Sequence, residues 1–439
     1  MPPPDPDARP DADLEALATA YPRCVWLDGG AGRDWSGRRS FVAGLEPDDV
    51  SLTYDAVAGE VRRWTGRPGR WRSTVVGDDP FTVLAAEVEQ EPGARWFGYL
   101  GYAARRDLPA LLDPADPPEA VWLRPSRVRE VQHAARPASP AVPPAARPRT
   151  PPAAAAVPAV PADYAAAFDR VQEALHAGDS YEVNLTHRVT ARSALAPWAA
   201  YARLREANPA PYAGFLQHDV AGEGDAADHR ARAWLLGSSP ERFARIGTTG
   251  GARVVETKPM KGTAPRSADP VEDAALRDAL AADPKTRAEN LMIVDLLRND
   301  VASVSRPGTV RVPDLMATET YPGVHQLVST VVGELRAEVG VVDAVRALFP
   351  AGSMTGAPKL RTMEVVAAVE GSSRGPYAGA LGWVSGEGAD LGVVIRSLYG
   401  ADARSWRAGT GGGITVRSRV ADEWAEAGWK LERVLGALR

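Results

Sequence analysis

Only one cysteine, Cys24, occurs in 439 residues, so no intrachain disulfide can form and the composition fits a reducing, cytoplasmic setting. Cys24 lies in the strand-like RCVWL, with no glycine-bounded turn to present it, which argues against a nucleophilic thiol. The six histidines are scattered and form no His/Cys cluster, which excludes a thiolate- or imidazole-rich metal site. No apolar run is long enough to cross a bilayer, and MPPPDPDARPDADLE lacks the basic start and apolar core of a signal peptide. The net charge is −5 and no long basic run occurs, so neither nucleic acid nor a membrane surface is expected as a partner. A phosphate-binding P-loop sequence and a GxSxG elbow are both missing.

What is present is ordinary globular material, 45% hydrophobic and 24% charged, enough for a large core. Three parts are expected. Residues 1–133 hold alternating strand-like segments such as RRSFVAG, SLTYDAV and RWFGYLG, after a start to about Asp11 too polar to order and a short helix from about Leu14. Residues 134–162 are almost wholly Ala, Pro and Arg, which reads as an extended linker. Residues 163–439 mix strands and helices without strict alternation. Asp163 is the expected N-cap of the first helix, and TTGG marks a hairpin. The fold class expected is α+β with large, mainly antiparallel sheets.

Several stretches could carry chemistry. Lys261 in VVETKPMKGTAPR reads as a lysine in a tight Pro/Gly-bounded loop at the end of a strand; the plain alternative is an idle, solvated lysine. Glu289 shares a helix face with Met292, Ile293 and Leu296, where a carboxylate needs a cation or a salt bridge to Arg287 or Arg298. Glu423 and Glu426 flank the apolar stripe of the last helix, and Glu426 has a plain partner in Lys430 four residues on. Glu289 and Glu426 could instead share a Mg²⁺, which favours one or two carboxylates and keeps positions for water and an anion. AGSMTGAPK precedes a helix whose first turn carries Pro358, a natural anion seat. GTGGG precedes a strand rather than a helix, which fits close backbone approach and not a dinucleotide fingerprint.

Segments SYEVNLTHR, NPAPYAGF, GSSPERF, KPMKGTAPR, RAENLMIVDLLRND, VHQLVS, FPAGSMTGAPK, PYAGALGWVS, VVIRSL, GTGGGI and EWAEAGWKLE follow one another from Asp163 to the C-terminus. In that order they resemble the chorismate-utilising enzymes: anthranilate synthase, aminodeoxychorismate synthase component I, and the isochorismate and salicylate synthases. LDGG…GRRSFVAG and WFGYLGYAARRDL match the smaller N-terminal part more weakly. The resemblance implies an anthranilate-synthase-like fold, with large antiparallel sheets forming a β-sandwich flanked by helices.

It also implies roles. Glu289 and Glu426, with Glu423 behind them, would hold Mg²⁺ on the ring carboxylate of chorismate. Glu241 would protonate the departing 4-hydroxyl and therefore need a raised pKa. His325 and Thr355 would lie near the substrate. Tyr377, Arg396 and the backbone at Gly412 and Gly413 would hold the enolpyruvyl carboxylate. Ser40, Pro211 and Tyr212 match a tryptophan site of the family.

Within the family, the isochorismate-type enzymes carry a lysine base where this chain has Glu182, and anthranilate synthases usually carry alanine where it has Lys261. The implied branch is therefore the aminodeoxychorismate type. Lys261 would attack C2 as a neutral amine, which requires burial or a nearby cation to lower its pKa from about 10.4. Ammonia would then attack C4. With no activated cysteine of its own, the chain would draw on free ammonia or on a separate glutamine amidotransferase subunit. The alternatives are an anthranilate or 2-amino-2-deoxyisochorismate synthase, and a non-catalytic subunit that only docks a glutaminase.

Overall fold

The computed structural model of the chain describes residues 10–30, 36, 38–133, 159–220, 231–321 and 324–439. Most of the expected linker, from 134 to 158, and most of the expected disordered start therefore lie outside the described residues. The first helix begins four residues earlier than expected, at Pro10.

Two antiparallel sheets make up the body. The nine-stranded sheet has the pair Glu182–Arg192 and Ser405–Ile414 near one edge and Arg23–Asp28, Arg39–Gly44 and Arg129–Gln132 at the other. The twelve-stranded sheet runs from Met260–Pro265 through Val324–Glu334, Ala252–Lys258 and Arg242–Thr249 to Glu60–Arg67 and Arg70–Gly77. Strands from 1–133 and from 163–439 contribute to both sheets.

The sheets face each other across one large core that joins Val25, Leu216 and Leu235 of the first to Tyr99, Leu381 and Leu391 of the second. Gly214 and Gly237 let the sheets close: a Cβ at either would sit 3.2 Å from Leu381 Cδ2. The result is the expected α+β β-sandwich flanked by helices. Each large apolar side chain buried in it contributes about 1.5–3 kcal/mol.

Two helices carry residues of interest. Pro284–Val304 starts where the Asp283 side chain accepts from the Thr286 amide, with proline in its first turn. Its buried face, Ile293, Leu297, Val301 and Val304, packs on strand Val324–Glu334. Val420–Gly436 buries Ala427, Leu431 and Val434 and lies along strand Ser405–Ile414, where Thr410 Oγ1 donates to the Ala427 carbonyl at 2.8 Å. No described helix is long and apolar enough to cross a membrane.

The TTGG hairpin turns at Gly250 and Gly251, with φ of 59° and 83°, conformations that glycine adopts without strain. Four local expectations are corrected. Lys261 is not in a loop but in strand Met260–Pro265, whose register against Val324–Glu334 shifts between Met260 and Thr263, with Gly262 at φ +86°. The GTGGG run lies inside strand Ser405–Ile414 rather than before one. Pro161, not Asp163, is the N-cap of helix Ala162–His176. RPGTVRV reads from its sequence as a short strand, but the strand starts only at Arg311 and continues to Thr320. Helices Pro80–Gln90 and Pro270–Ala282 were not foreseen, though both have an aspartate N-cap followed by proline.

Candidate active site

Lys261 and Glu182 come from different sheets and meet as an ion pair, with Glu182 fully buried. The second Glu182 oxygen, Oε2, is buried without a hydrogen-bond partner among the described residues. Strand Ser405–Ile414 passes beside this pair because its glycines leave room. A Cβ at Gly413 would lie 2.3 Å from Glu182 Oε1 and 3.0 Å from Lys261 Nζ, and one at Gly412 would lie 3.0 Å from Glu423 Oε2. The close backbone approach expected at GTGGG is therefore an approach to the lysine and the carboxylates.

The Lys261 ammonium is not the neutral amine expected from the sequence. Burial alone would lower its pKa, but Glu182, Glu289 and Glu241 outweigh burial and raise it above the ordinary lysine value. This corrects the expectation of a lowered value: the carboxylates of Glu182, Glu289 and Glu241 are the charges that act on it most strongly.

Glu289 is mostly buried, and burial pushes its carboxyl up to about 7 against the pull of Lys261. Its partner is neither Arg287 nor Arg298. Arg298 pairs with Asp295, and Arg287 donates to the Ala281 carbonyl. Lys285, one turn earlier on the same helix, sits 3.7 Å from Glu289 Oε1 and 3.1 Å from Glu423 Oε1. An ammonium thus bridges two of the three carboxylates expected to hold a metal. The third, Glu426, is turned to Lys430 at 2.8 Å, and that ion pair holds it below its ordinary pKa despite partial burial. Among the described residues no three such groups converge as a ready metal cage. The donor set still suits a hard cation: Glu289 Oε1 is buried without a hydrogen bond, and Glu423 is buried beside it.

Glu241 follows strand Ala233–Ser239 and is buried, with its carboxyl pushed up by burial to about 7. Ser353 Oγ donates to its Oε1 at 2.6 Å, the Met260 amide hydrogen-bonds to the carboxylate, and Lys261 and Arg396 exert the nearest positive charge. Arg396 is largely buried and adopts a left-handed φ of 51°, a strained backbone for an arginine, and burial together with Arg433 lowers its pKa. Tyr377 packs its ring where a Cβ of Gly409 would be, 2.2 Å away, and burial pushes its phenol to about 12.

Thr355 is fully buried in the short turn Gly352–Thr355 and donates back to the Gly352 carbonyl at 3.2 Å. His325 is buried with both ring nitrogens engaged, at 2.9 Å from Thr320 Oγ1 and 3.0 Å from Asp273 Oδ1. Arg266 in turn grips Asp273 and holds its carboxylate far below the ordinary range.

At a distance in sequence, Pro211 and Tyr212 line a half-open pocket together with Asp28, Arg39, Trp383 and Asp390. Ser40 stands beside it, accepting from the Gly29 amide at 3.0 Å and lying 2.7 Å from His133 Nε2. Cys24 is buried, and burial raises its thiol pKa, as suits an inert cysteine.

Sequence reasoning passed over three side chains here. Ser353 stood inside a quoted motif. Lys285 stood four residues before Glu289, the spacing of a helix ion pair. Nothing in the sequence marked Asp273 as the partner of His325.

The architecture matches anthranilate synthase component I of Streptococcus pneumoniae TIGR4, with a TM-score of 0.69 over 91% of this chain and 92% of that one, at 23% identity. A family described as chorismate binding enzyme matches residues 24–436, and the chain belongs to that family. Among curated relatives, the aminodeoxychorismate synthase of Streptomyces pristinaespiralis is 37% identical over 99% of this chain. This chain spans only 64% of that protein's length. Anthranilate synthase component 1 of Streptomyces coelicolor is 35% identical, over 90% of this chain and 84% of the relative.

Proposed function

We propose that the chain is the chorismate-aminating component of an aminodeoxychorismate synthase. The observation that carries this reading is the buried Lys261–Glu182 pair facing the Gly413 backbone and within reach of the Glu241 and Glu289 charges. A buried amine in that company suits a nucleophile and has little use as a surface charge. The relative from Streptomyces pristinaespiralis supports the aminodeoxychorismate branch.

In this reading Arg396 and the amides at Gly412 and Gly413, with Tyr377 alongside, take the enolpyruvyl carboxylate. Thr355 and His325 border the ring, His325 fixed in orientation by Asp273. Glu182 accepts the surplus proton of Lys261, and the neutral Nζ attacks C2. The two conjugated ring double bonds move along the ring, and the C4–O bond breaks as Glu241 gives its proton to the leaving hydroxyl, which departs as water. Ammonia attacks C4, the double bonds move back, and the C2–Nζ bond breaks to free the lysine. The balance is chorismate plus ammonia to 4-amino-4-deoxychorismate plus water.

Glu289, Glu423 and, once released from Lys430, Glu426 would hold Mg²⁺, which when bound neutralises the ring carboxylate. Ammonia would come from free ammonium or from a separate glutamine amidotransferase subunit; the Streptomyces coelicolor relative bears the name component 1. In this reading a tryptophan-like ligand would go to the pocket lined by Pro211 and Tyr212.

The test is product analysis of purified chain with chorismate, ammonium salts and Mg²⁺. 4-Amino-4-deoxychorismate is expected. Fluorescent anthranilate as the main product would transfer the chain to the second branch, which the Streptomyces coelicolor relative favours.

A further inference from the structure

We propose that Ser353 is the positioning residue of the Glu241 acid: it fixes the carboxyl in one orientation and leaves Oε2 as the oxygen that carries the proton to the substrate. The inference rests on the reading of Glu241 given above. Ser353 Oγ donates to Glu241 Oε1 at 2.6 Å, and both residues are buried. The Ser353 hydroxyl makes no other hydrogen bond among the described residues, whereas its neighbour Thr355 turns its own hydroxyl back onto the helical turn. An oxygen that already accepts a hydroxyl proton is the acceptor side of a carboxylic acid, so the acid's own proton resides on the other oxygen.

The turn that presents Ser353 is held at the Met354 carbonyl by groups other than Glu241. Asn184 Nδ2 and an Arg374 guanidinium nitrogen both donate to the Met354 carbonyl, at 3.1 and 2.6 Å, and Arg374 is locked by the buried Glu370 at 2.7 Å. Gly352 packs so tightly on helix Pro284–Val304 that a Cβ there would sit 2.6 Å from Leu296 Cδ2. The hydroxyl therefore has little freedom to swing away. The other groups facing Glu241 are the Met260 amide, Lys261, Arg396 and Tyr377. A donated hydrogen bond favours the carboxylate, so Ser353 moderates the rise that burial imposes and keeps the acid able both to hold and to release its proton near neutral pH.

The experiment follows Glu241 itself. Protein labelled with ¹³C at glutamate side-chain carboxyls is titrated by infrared difference spectroscopy, with Glu241→Gln identifying the signal. Ser353→Ala is expected to move the Glu241 midpoint upward by about half to one pH unit, and Ser353→Thr, which keeps a hydroxyl, to leave it in place. The alkaline limb of chorismate turnover should move upward by the same amount, because a higher pKa keeps the acid protonated to higher pH. An unmoved midpoint in Ser353→Ala, or a shift as large in Ser353→Thr, overturns the proposal. Ser353→Cys, a near-isosteric weak donor, should give a smaller upward shift and stands in if the alanine variant does not fold. The infrared titration needs no substrate. A chain that leaves chorismate untouched therefore counts against the functional reading, while turnover with an unmoved midpoint counts against Ser353 alone.

Discussion

Lys261 and Glu182 form a buried ion pair between a strand of the twelve-stranded sheet and a strand of the nine-stranded one. On the proposed reading, the Glu182 carboxylate is the acceptor for the proton that Lys261 would lose. Removing Lys261 should therefore abolish 4-amination. Lys261→Ala is expected to give no covalent adduct with chorismate by intact-protein mass spectrometry and no 4-amino-4-deoxychorismate by chromatography. Undiminished product would remove the nucleophile role.

The same pair has a stability consequence. Lys261→Met leaves the buried Glu182 carboxylate uncompensated and should cost roughly 3–5 kcal/mol in urea unfolding, as breaking a buried ion pair does. The double variant Lys261→Met, Glu182→Leu should recover most of that loss. The pKa of Lys261 is raised in the folded chain. Its stabilisation is thus present below the unfolded value of about 10.4 and is lost as pH rises through the folded value.

Glu241 titrates in the opposite sense from a paired carboxylate. With its pKa raised to about 7 by burial, it favours the folded chain while protonated, and that contribution is lost as pH rises from the ordinary glutamate value to about 7. Glu241→Gln should therefore lose less stability than the parent between those two pH values in thermal melts. As the proposed acid, its loss should slow turnover on the order of 10²–10⁴-fold. Parent activity should decline as pH rises through about 7.

Lys285 lies between Glu289 and Glu423, and on the proposed reading its ammonium would compete there with a divalent cation. Lys285→Ala should bind Mg²⁺ more tightly by calorimetric titration, since the cation no longer displaces an ammonium. It should also be less stable than the parent without metal, the difference narrowing as Mg²⁺ is added. Glu289→Gln with Glu423→Gln should abolish the binding heat. A Lys285→Ala variant with parental Mg²⁺ affinity would contradict the competition.

Gly413→Ala places a methyl group against Glu182 Oε1 and Lys261 Nζ. Loss of adduct and of turnover is expected with an unchanged circular dichroism spectrum. Gly436→Ala, where a Cβ meets nothing within 4 Å, is the control expected to behave as the parent.

By itself the sequence determined the class of the fold and the family, and it singled out Lys261, Glu241, Glu289 and Glu423 as candidates. It did so because short motifs such as SPERF and RAENLMIVDLLRND are local and can be read along the chain without the fold. Helix ends with Asp followed by Pro and the Gly-Gly hairpin were equally local and equally legible, even where two such helices were passed over. What only the tertiary structure decided was which charges face one another. Lys261 read as a loop lysine because Pro259 and Gly262 flank it, yet pairing with strand Val324–Glu334 draws it into a bulged strand. Its raised pKa comes from Glu182, 79 residues away in sequence, and the partner of Glu241 is Ser353, 112 residues away. A pKa depends on distance and burial, which chain order does not encode until the two sheets close on each other.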